Sequence, residues 1–272
     1  MRSYRSYYES DDFSNAKSLA VWRNKWWLYW LTSEQSQSNS WLSQAVAVAK
    51  WRSQKGDFMP EYQLYCFAQS GNAYRAALML NLIGADWQPV FVDFFKGGET
   101  RTPKYRAEVN EMGEVPVLAH GTKKLSQSAV ILSYLAERTG RFKPQGEDGR
   151  LEALRWIIFD NQKVNGFLGP YRFLKNFARP TGDPAVLTFL KGRIDGNLAV
   201  VDQRLGKAPF LLGGQPTIAD ISLAGYLYYP AEEFGFDIGA QHKNIGAWRE
   251  RIRALPGWAH PYDLMPGHPF TL

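Results

Sequence analysis

One stretch restricts this chain more than any other: Gly113-Glu114-Val115-Pro116-Val117-Leu118, answered a hairpin's length later by Ser126-Gln127-Ser128-Ala129-Val130-Ile131. The first run reads as a strand, yet Pro116 has no N–H to give to a ladder. Proline is confined in sheets to an edge, a strand start or a special turn. The Val115-Pro116 bond is expected to be cis, with the N–H and C=O of Val115 facing a peptide-like ligand. Gln127-Ser128 then opens an apolar helix, where exposed N–H groups and the positive helix end suit a carboxylate. The alternative is that Ser126 or Ser128 merely caps that helix.

The surrounding pattern alternates. Residues 63–67 read as a strand. Residues 72–83 read as a helix that is apolar nearly all round, hence buried, with Gly84 ending it. Residues 90–92 read as a second strand after a connection carrying Pro89. Strand, helix and strand at this spacing predict a parallel pair with a right-handed crossover. A short helix over 103–109, a hairpin about His120-Gly121-Thr122 and a helix over 127–138 complete the order β-α-β-α-β-β-α. Residues 139–149, with Gly140, Pro144, Gly146 and Gly149, read as a linker.

Beyond the linker the pattern is helical. Leu151, Leu154 and Ile158 share one helix face, and Gly166, Gly169 and Pro170 are expected to bend that helix. Asp183-Pro184 reads as N-cap and first helical residue, before a stripe of Leu187, Leu190, Ile194, Leu198, Val201 and Leu205. Thr217-Ile218-Ala219-Asp220 reads as a capping box, so Asp220 is assigned to stability and not to catalysis. Residues 245–255 form the last good helix, stopped by Pro256 and Gly257.

Composition narrows the function classes. The chain is 45% hydrophobic and carries net charge +6. The charge is shared evenly: residues 1–58 and residues 59–272 each carry a net +3. The larger part has no Lys/Arg run, which speaks against nucleic acid as partner. His120, His242, His260 and His268 form no cluster with metal-ligand spacing, so no metal is expected. Cys66 is the single cysteine, excluding an intrachain disulfide; it reads as inert core, with a redox role as the alternative. No apolar run reaches bilayer length and no secretory signal opens the chain, so no membrane partner and a cytoplasmic location are expected.

Residues 1–58 read unlike the rest, with six of the ten tryptophans: Trp22, Trp26, Trp27, Trp30, Trp41 and Trp51. They are expected to be an atypical extension, poorly ordered apart from helix near 16–31 and 41–52, with Met59 as the true start. The competing reading is an interfacial amphipathic anchor.

Ser70 in the loop 68–72 lies at a strand-to-helix turn. A ligand thiol placed there starts from a pKa of roughly 8.5, and each unit of lowering takes about 1.4 kcal/mol. A hydroxyl hydrogen bond together with the helix end could supply roughly one to two units. Ser70 alternatively only caps the helix.

The Val-Pro bend, the Gln-Ser dipeptide and Ser70, Asn72, Tyr74 and Arg75 resemble the glutathione transferase family across roughly residues 61–265. The loop is similar to serine-type, theta- and nu-like bacterial members. Asn72 stands where the beta class has its cysteine, which argues against a protein-thiol mechanism. The resemblance implies an α/β thioredoxin-like N-terminal domain over residues 59–139, a linker over 140–149 and an all-α C-terminal domain over 150–272. It also implies a homodimer. Glutathione would be the co-substrate, its thiol activated by Ser70 with help from Asn72. Val115, Pro116, Gln127 and Ser128 would bind the rest of the molecule, and Arg101 or Lys96 its glycine carboxylate. A small hydrophobic electrophile would lie against Phe67, Gln69, Phe167, Tyr171 or Phe177. The activity implied is conjugation in detoxification. Glutathione-dependent disulfide oxidoreduction and a non-catalytic interaction module are the alternatives.

Overall fold

The structure, a computed structural model, describes residues 60–269; the expectations for residues 1–58 fall outside the described residues. Strand β1 (Tyr62–Cys66) buries Tyr62, Leu64 and Cys66 at alternate positions, the period of a strand with its most covered face inward. It pairs in parallel with β2 (Trp87–Phe91) after the intervening helix α1 (Gly71–Leu82). Helix α2 (Pro103–Glu108) follows, capped by the Thr102 hydroxyl, which accepts from Tyr105 N. Strand β3 (Val117–His120) is antiparallel to β1 and to β4 (Lys123–Ser126), giving the order β2-β1-β3-β4. Helix α3 (Ser128–Thr139) closes the layer, ended by Gly140 at φ 69°.

The second strand departs from expectation. Pro89 lies inside β2, opposite Leu64, and not in the approach to it. Among the described residues β2 is an edge strand, and an edge tolerates a residue with no donor. Helix α1 is buried on all sides apart from Asn72 and Asn81. It packs on the sheet and α3 on one side and on helices of the second half on the other. That double cover explains its nearly continuous apolar sequence.

The second half begins inside the span expected to be linker. Helix α4 (Gly146–Phe159) starts at Gly146, with Glu147 and Asp148 favourably placed in its first turn. Leu151, Leu154 and Ile158 do share a face, but it is the solvent face, at 58%, 51% and 47% exposure. Ala153, Trp156 and Ile157 face the core instead. The helical run continues through a π turn (Asp160–Val164), α5 (Asn165–Arg172) and a second π turn (Phe173–Phe177). The irregularity expected at Gly166, Gly169 and Pro170 thus takes the form of two flanking π turns around a segment whose Pro170 lacks a donor.

Helix α6 (Pro184–Leu205) buries Leu190, Ile194, Leu198, Val201 and Leu205, with Asp183 Oδ1 accepting from Ala185 N at the cap. Helix α7 (Ile218–Leu223) carries the full capping box. Asp220 is completely buried and accepts from Leu211 N, Thr217 N and Trp248 Nε1. Burial raises its pKa and those donors oppose the rise. Every carboxylate oxygen has a protein partner, as a structural acid requires. The short helices α8 (Ile238–Gln241) and α10 (Pro261–Leu264) flank α9 (Lys243–Arg253). No helix among the described residues is long and apolar enough to cross a membrane.

Candidate functional site

Because β1 and β2 run parallel, the loops after both leave the sheet at the same end. Open sheets hold ligands beyond the carboxyl ends of such strands. There lies a cavity of about 660 Å³ between the sheet layer and α5. Its lining includes Phe67, Gln69, Ser70 and Asn72 from the first loop, Val115 and Pro116 from the bend, and Gln127 and Ser128 at the start of α3.

The bend is tightly built. The Val115-Pro116 bond is cis. Asn110 Nδ2 and Tyr105 Oη both donate to Glu114 O at 3.0 Å, which fixes the carbonyl just before Val115. Gly113 has φ 69°, and a β-carbon there would sit 2.7 Å from Thr100 O, so no larger residue fits. Gln127 adopts φ 66°, a conformation non-glycine residues hold only where surroundings impose it. Its Nε2 donates to Glu114 Oε2 at 3.0 Å, tying the two sides of the cavity together.

Ser70 is buried and caps α1: its Oγ accepts from Ala73 N at 3.1 Å. Capping and ligand contact are compatible. A hydroxyl has two acceptor sites and one proton, and the cap uses an acceptor site only. The proton stays available toward the cavity.

Asn72 is oriented from behind. Arg75 Nη2 donates to Asn72 Oδ1 at 2.7 Å. A guanidinium only donates, so the carbonyl end of the amide faces Arg75 and the NH₂ end is left to face elsewhere. Arg75 is itself fully buried, with Nη1 donating to Asp160 Oδ2 at 3.0 Å, Asn161 Oδ1 at 2.8 Å and Ser222 Oγ at 2.9 Å. Ser222 Oγ donates to Asp160 Oδ2 at 2.6 Å, and Asn165 Nδ2 donates to Asp160 Oδ1. Burial pushes the Asp160 carboxyl up to about 6, with Arg75, Ser222 and Asn165 opposing. This cluster joins α1 to α7 and the first π turn, and so holds the cavity's two walls together.

The Ser70 loop is held by distant chain. Ala68 N donates to Pro266 O at 2.7 Å, and Gln69 Nε2 to Gly267 O at 2.8 Å. Tyr229 Oη donates to Ala68 O at 2.6 Å, and Arg172 Nη1 to Gln69 O at 2.7 Å. Arg172 lies 3.7 Å above the Tyr229 ring and pairs with Glu233.

The apolar wall differs from expectation. Phe67 and Gln69 line the cavity, and so does Phe177, but Phe167 and Tyr171 do not. Helix geometry explains this. Gly166, Gly169 and Pro170 on α5 and Phe173 at the start of the second π turn recur every three or four residues and form one cavity face. Phe167 and Tyr171, four apart, lie on another face, where Tyr171 packs on Phe236 at 5.7 Å between ring centroids. Phe94 and Phe95 supply the rest of the wall, with Phe67 stacked on Phe94 at 4.9 Å. Arg101 is exposed, outside the lining, with its guanidinium 5.9 Å from the centre of the Phe94 ring. Lys96 borders an adjoining smaller groove.

Comparison with known proteins places this geometry. The sequence model of the Glutathione S-transferase N-terminal domain matches residues 60–137, and that of the C-terminal domain matches residues 184–251. The crystal structure of a possible glutathione S-transferase from Rhodopseudomonas palustris superimposes with TM-score 0.69 at 32% identity, over 76% of this chain and all of that one. The chain belongs to the glutathione transferase family. Among curated relatives, Glutathione S-transferase F14 of Arabidopsis thaliana is 29% identical over 75% of this chain and 86% of its own. The disulfide-bond oxidoreductase YfcG of Escherichia coli is 28% identical over 70% of this chain and 89% of its own.

Within this glutathione transferase fold, Cys66 is fully buried in β1 and burial pushes its thiol up to about 12, so it stays protonated and unreactive near neutrality. No cluster of three metal-ligating side chains occurs among the described residues. Sequence reasoning missed Phe94, Phe95, Phe173, Arg172 and Tyr226. The two phenylalanines had a signal: they follow a parallel strand at its carboxyl end. Arg75 also carried one, because a charge within an apolar helix demands a buried partner.

Proposed function

We propose that this transferase-family chain binds glutathione in the cavity and presents its thiolate to a small hydrophobic electrophile. The observation that carries the reading is the Ser70 hydroxyl, fixed by the α1 cap with its proton unspent, in a cavity shared with Val115, Gln127 and Ser128. The thiolate accepts from Ser70 and from the NH₂ of Asn72. The cysteinyl backbone pairs with Val115, like an added strand edge. The γ-glutamyl carboxylate takes the N–H groups at the start of α3, a twelve-residue helix. The apolar part of the electrophile rests on Phe67, Phe94 and Phe173.

A second reading, disulfide reduction, is favoured by Asn72, whose amide is aimed by Arg75, and by the similarity to a disulfide-bond oxidoreductase. It uses glutathione sulfur throughout, since Cys66 is sealed in the core. Turnover of 1-chloro-2,4-dinitrobenzene beside 2-hydroxyethyl disulfide separates the two. Conjugation is expected to dominate; thiol release from the disulfide without conjugation would favour the second reading. Failure to be retained on immobilised glutathione would remove both.

The exposed apolar face of Leu151, Leu154 and Ile158 on α4 supports a homodimer, as contiguous apolar surface marks association sites. Leu154→Glu is expected to leave the fold intact and halve the mass measured by light scattering. A wild-type chain already monomeric at micromolar concentration, or a dimeric variant, would refute this use of the face.

A further inference from the structure

Arg172 is the last residue of α5 and belongs to the helical half, yet it borders the same cavity as Ser70. Its side chain is 2% exposed, and a buried guanidinium needs partners for its charge and its five N–H groups. Most of them come from its own half. Nε donates to Glu233 Oε2 at 2.6 Å, and Nη2 lies 2.5 Å from the same oxygen. Nη2 also donates to Tyr262 Oη at 2.8 Å, and that hydroxyl donates to Glu233 Oε1. The Tyr229 ring covers one face of the guanidinium. These contacts already balance and seat the charge. One donor does something else. Nη1 reaches across to the sheet layer and donates to Gln69 O at 2.7 Å. Balancing the charge leaves that bond unexplained.

Gln69 O belongs to the peptide unit that enters Ser70. The other polar end of that unit, Ser70 N, donates to Phe67 O at 3.0 Å. A peptide unit is planar, so holding both ends fixes its tilt and the direction in which the Ser70 side chain leaves it. On its other side Ser70 meets α1, where Oγ accepts from Ala73 N at 3.1 Å with the backbone at φ −86° and ψ 106°. The cap sets how Oγ sits on the helix. The Arg172 bond sets how the loop delivers it there. The Gln69 side chain adds a further hold, with Nε2 donating to Gly267 O. These holds restrict where Oγ sits, and a hydrogen bond weakens steeply once donor and acceptor are misaligned.

We propose that Arg172, seated by Glu233, is a positioning residue: it holds the Gln69–Ser70 peptide so that the Ser70 hydroxyl meets the glutathione sulfur in hydrogen-bond geometry. This rests on the transferase reading of the cavity. Arg172 acts through Ser70 and not on the sulfur itself. Its charge is offset by Glu233, so the quantity that matters is the fork. A guanidinium can serve Glu233 from one edge and Gln69 O from another at the same time. A lysine ammonium is a single point at the end of a flexible stem and cannot do both.

The test titrates the ultraviolet absorbance of bound glutathione thiolate in wild type, Arg172→Lys, Glu233→Gln and Thr217→Ala. Arg172→Lys keeps the charge and loses the fork. Its midpoint is expected to rise by roughly half to one unit, which leaves about three- to tenfold less thiolate near pH 6.5. Glutathione affinity should change little. Glu233→Gln keeps the guanidinium charge but loosens its seat, so its midpoint should rise too, by a smaller amount. Thr217→Ala removes the α7 cap instead and should lose stability while titrating as wild type does. An Arg172→Lys curve that coincides with wild type overturns the proposal and leaves Arg172 a link between layers. A Glu233→Gln midpoint below wild type overturns it as well, because the guanidinium would then act through its field. A Thr217→Ala curve shifted as far as Arg172→Lys also overturns it, since general loosening would explain both. If Arg172→Lys does not fold, Glu233→Gln decides by the same criteria. Wild type that binds glutathione with the midpoint of the free thiol refutes the activation by Ser70, and this positioning with it. Wild type that does not bind glutathione refutes the transferase reading itself.

Discussion

Ser70→Ala is expected to shift the pH–rate profile for conjugation upward by roughly one to two units, the amount one hydroxyl hydrogen bond and its helix end can supply to a thiolate. Near pH 6.5 the variant should turn over roughly 10–100-fold more slowly, because each unit of pKa is a tenfold change in thiolate while the thiol predominates. The deficit should shrink with rising pH, as the thiol ionises unaided. Glutathione affinity should change little under the proposed function, in which Val115 and Ser128 hold the rest of the molecule. Ser70 also caps α1, and losing that cap costs roughly 0.5–2 kcal/mol of stability. A lost cap cannot by itself produce an alkaline shift in the bound thiol. Ultraviolet absorbance of bound thiolate across pH, in both proteins, separates the roles. Coincident titration curves would return Ser70 to capping alone.

The second large effect is structural. Asp160→Ala should cost roughly 3–5 kcal/mol near pH 7, the range for removing one partner of a buried ion pair. It strips an acceptor from Arg75, Ser222 and Asn165 together. The pH dependence has a definite sign. Burial raises the Asp160 pKa to about 6, above an unfolded value near 3.9. The folded chain therefore binds this proton more tightly than the unfolded chain does. Its contribution to stability is largest below about pH 4, declines as pH rises through about 6 and is level above that. The wild-type advantage over the variant should thus widen on acidification from pH 7 to 4, by roughly 1.4 kcal/mol per unit at its steepest. Chemical denaturation at a series of pH values measures it. A gap that narrows in acid would mean that Arg75 outweighs burial and keeps the carboxylate charged.

Much of this architecture is legible in the chain because local rules and tertiary demands agree. The capping box at Thr217, the Asp183-Pro184 start of α6 and the Gln127-Ser128 helix start are decided within a few residues, and the structure places them as read. What escaped depends on partners remote in sequence. Leu151, Leu154 and Ile158 have the spacing of a core stripe, and only the packing of α4 puts them in solvent. Phe167 and Tyr171 were as eligible for the cavity as Phe173, because the phase of α5 is set by a π turn that no composition signals. Tyr226 reads as one aromatic in an apolar run until Gly71 and Gly169 are seen to frame it.

The attachment of the Ser70 loop to residues 266 and 267 bears on how the protein is made. Gln69 waits for a partner 198 residues further along. At a synthesis rate of roughly 5–20 residues per second, that interval lasts about 10–40 s. Once Ser126 has been added the sheet layer has all its strands, while Ala68 and Gln69 still lack the acceptors that fix the Ser70 loop. A ribosome-bound chain can therefore assemble its first layer early, but the loop carrying Ser70 gains these two anchors only once residues 266 and 267 have emerged and docked.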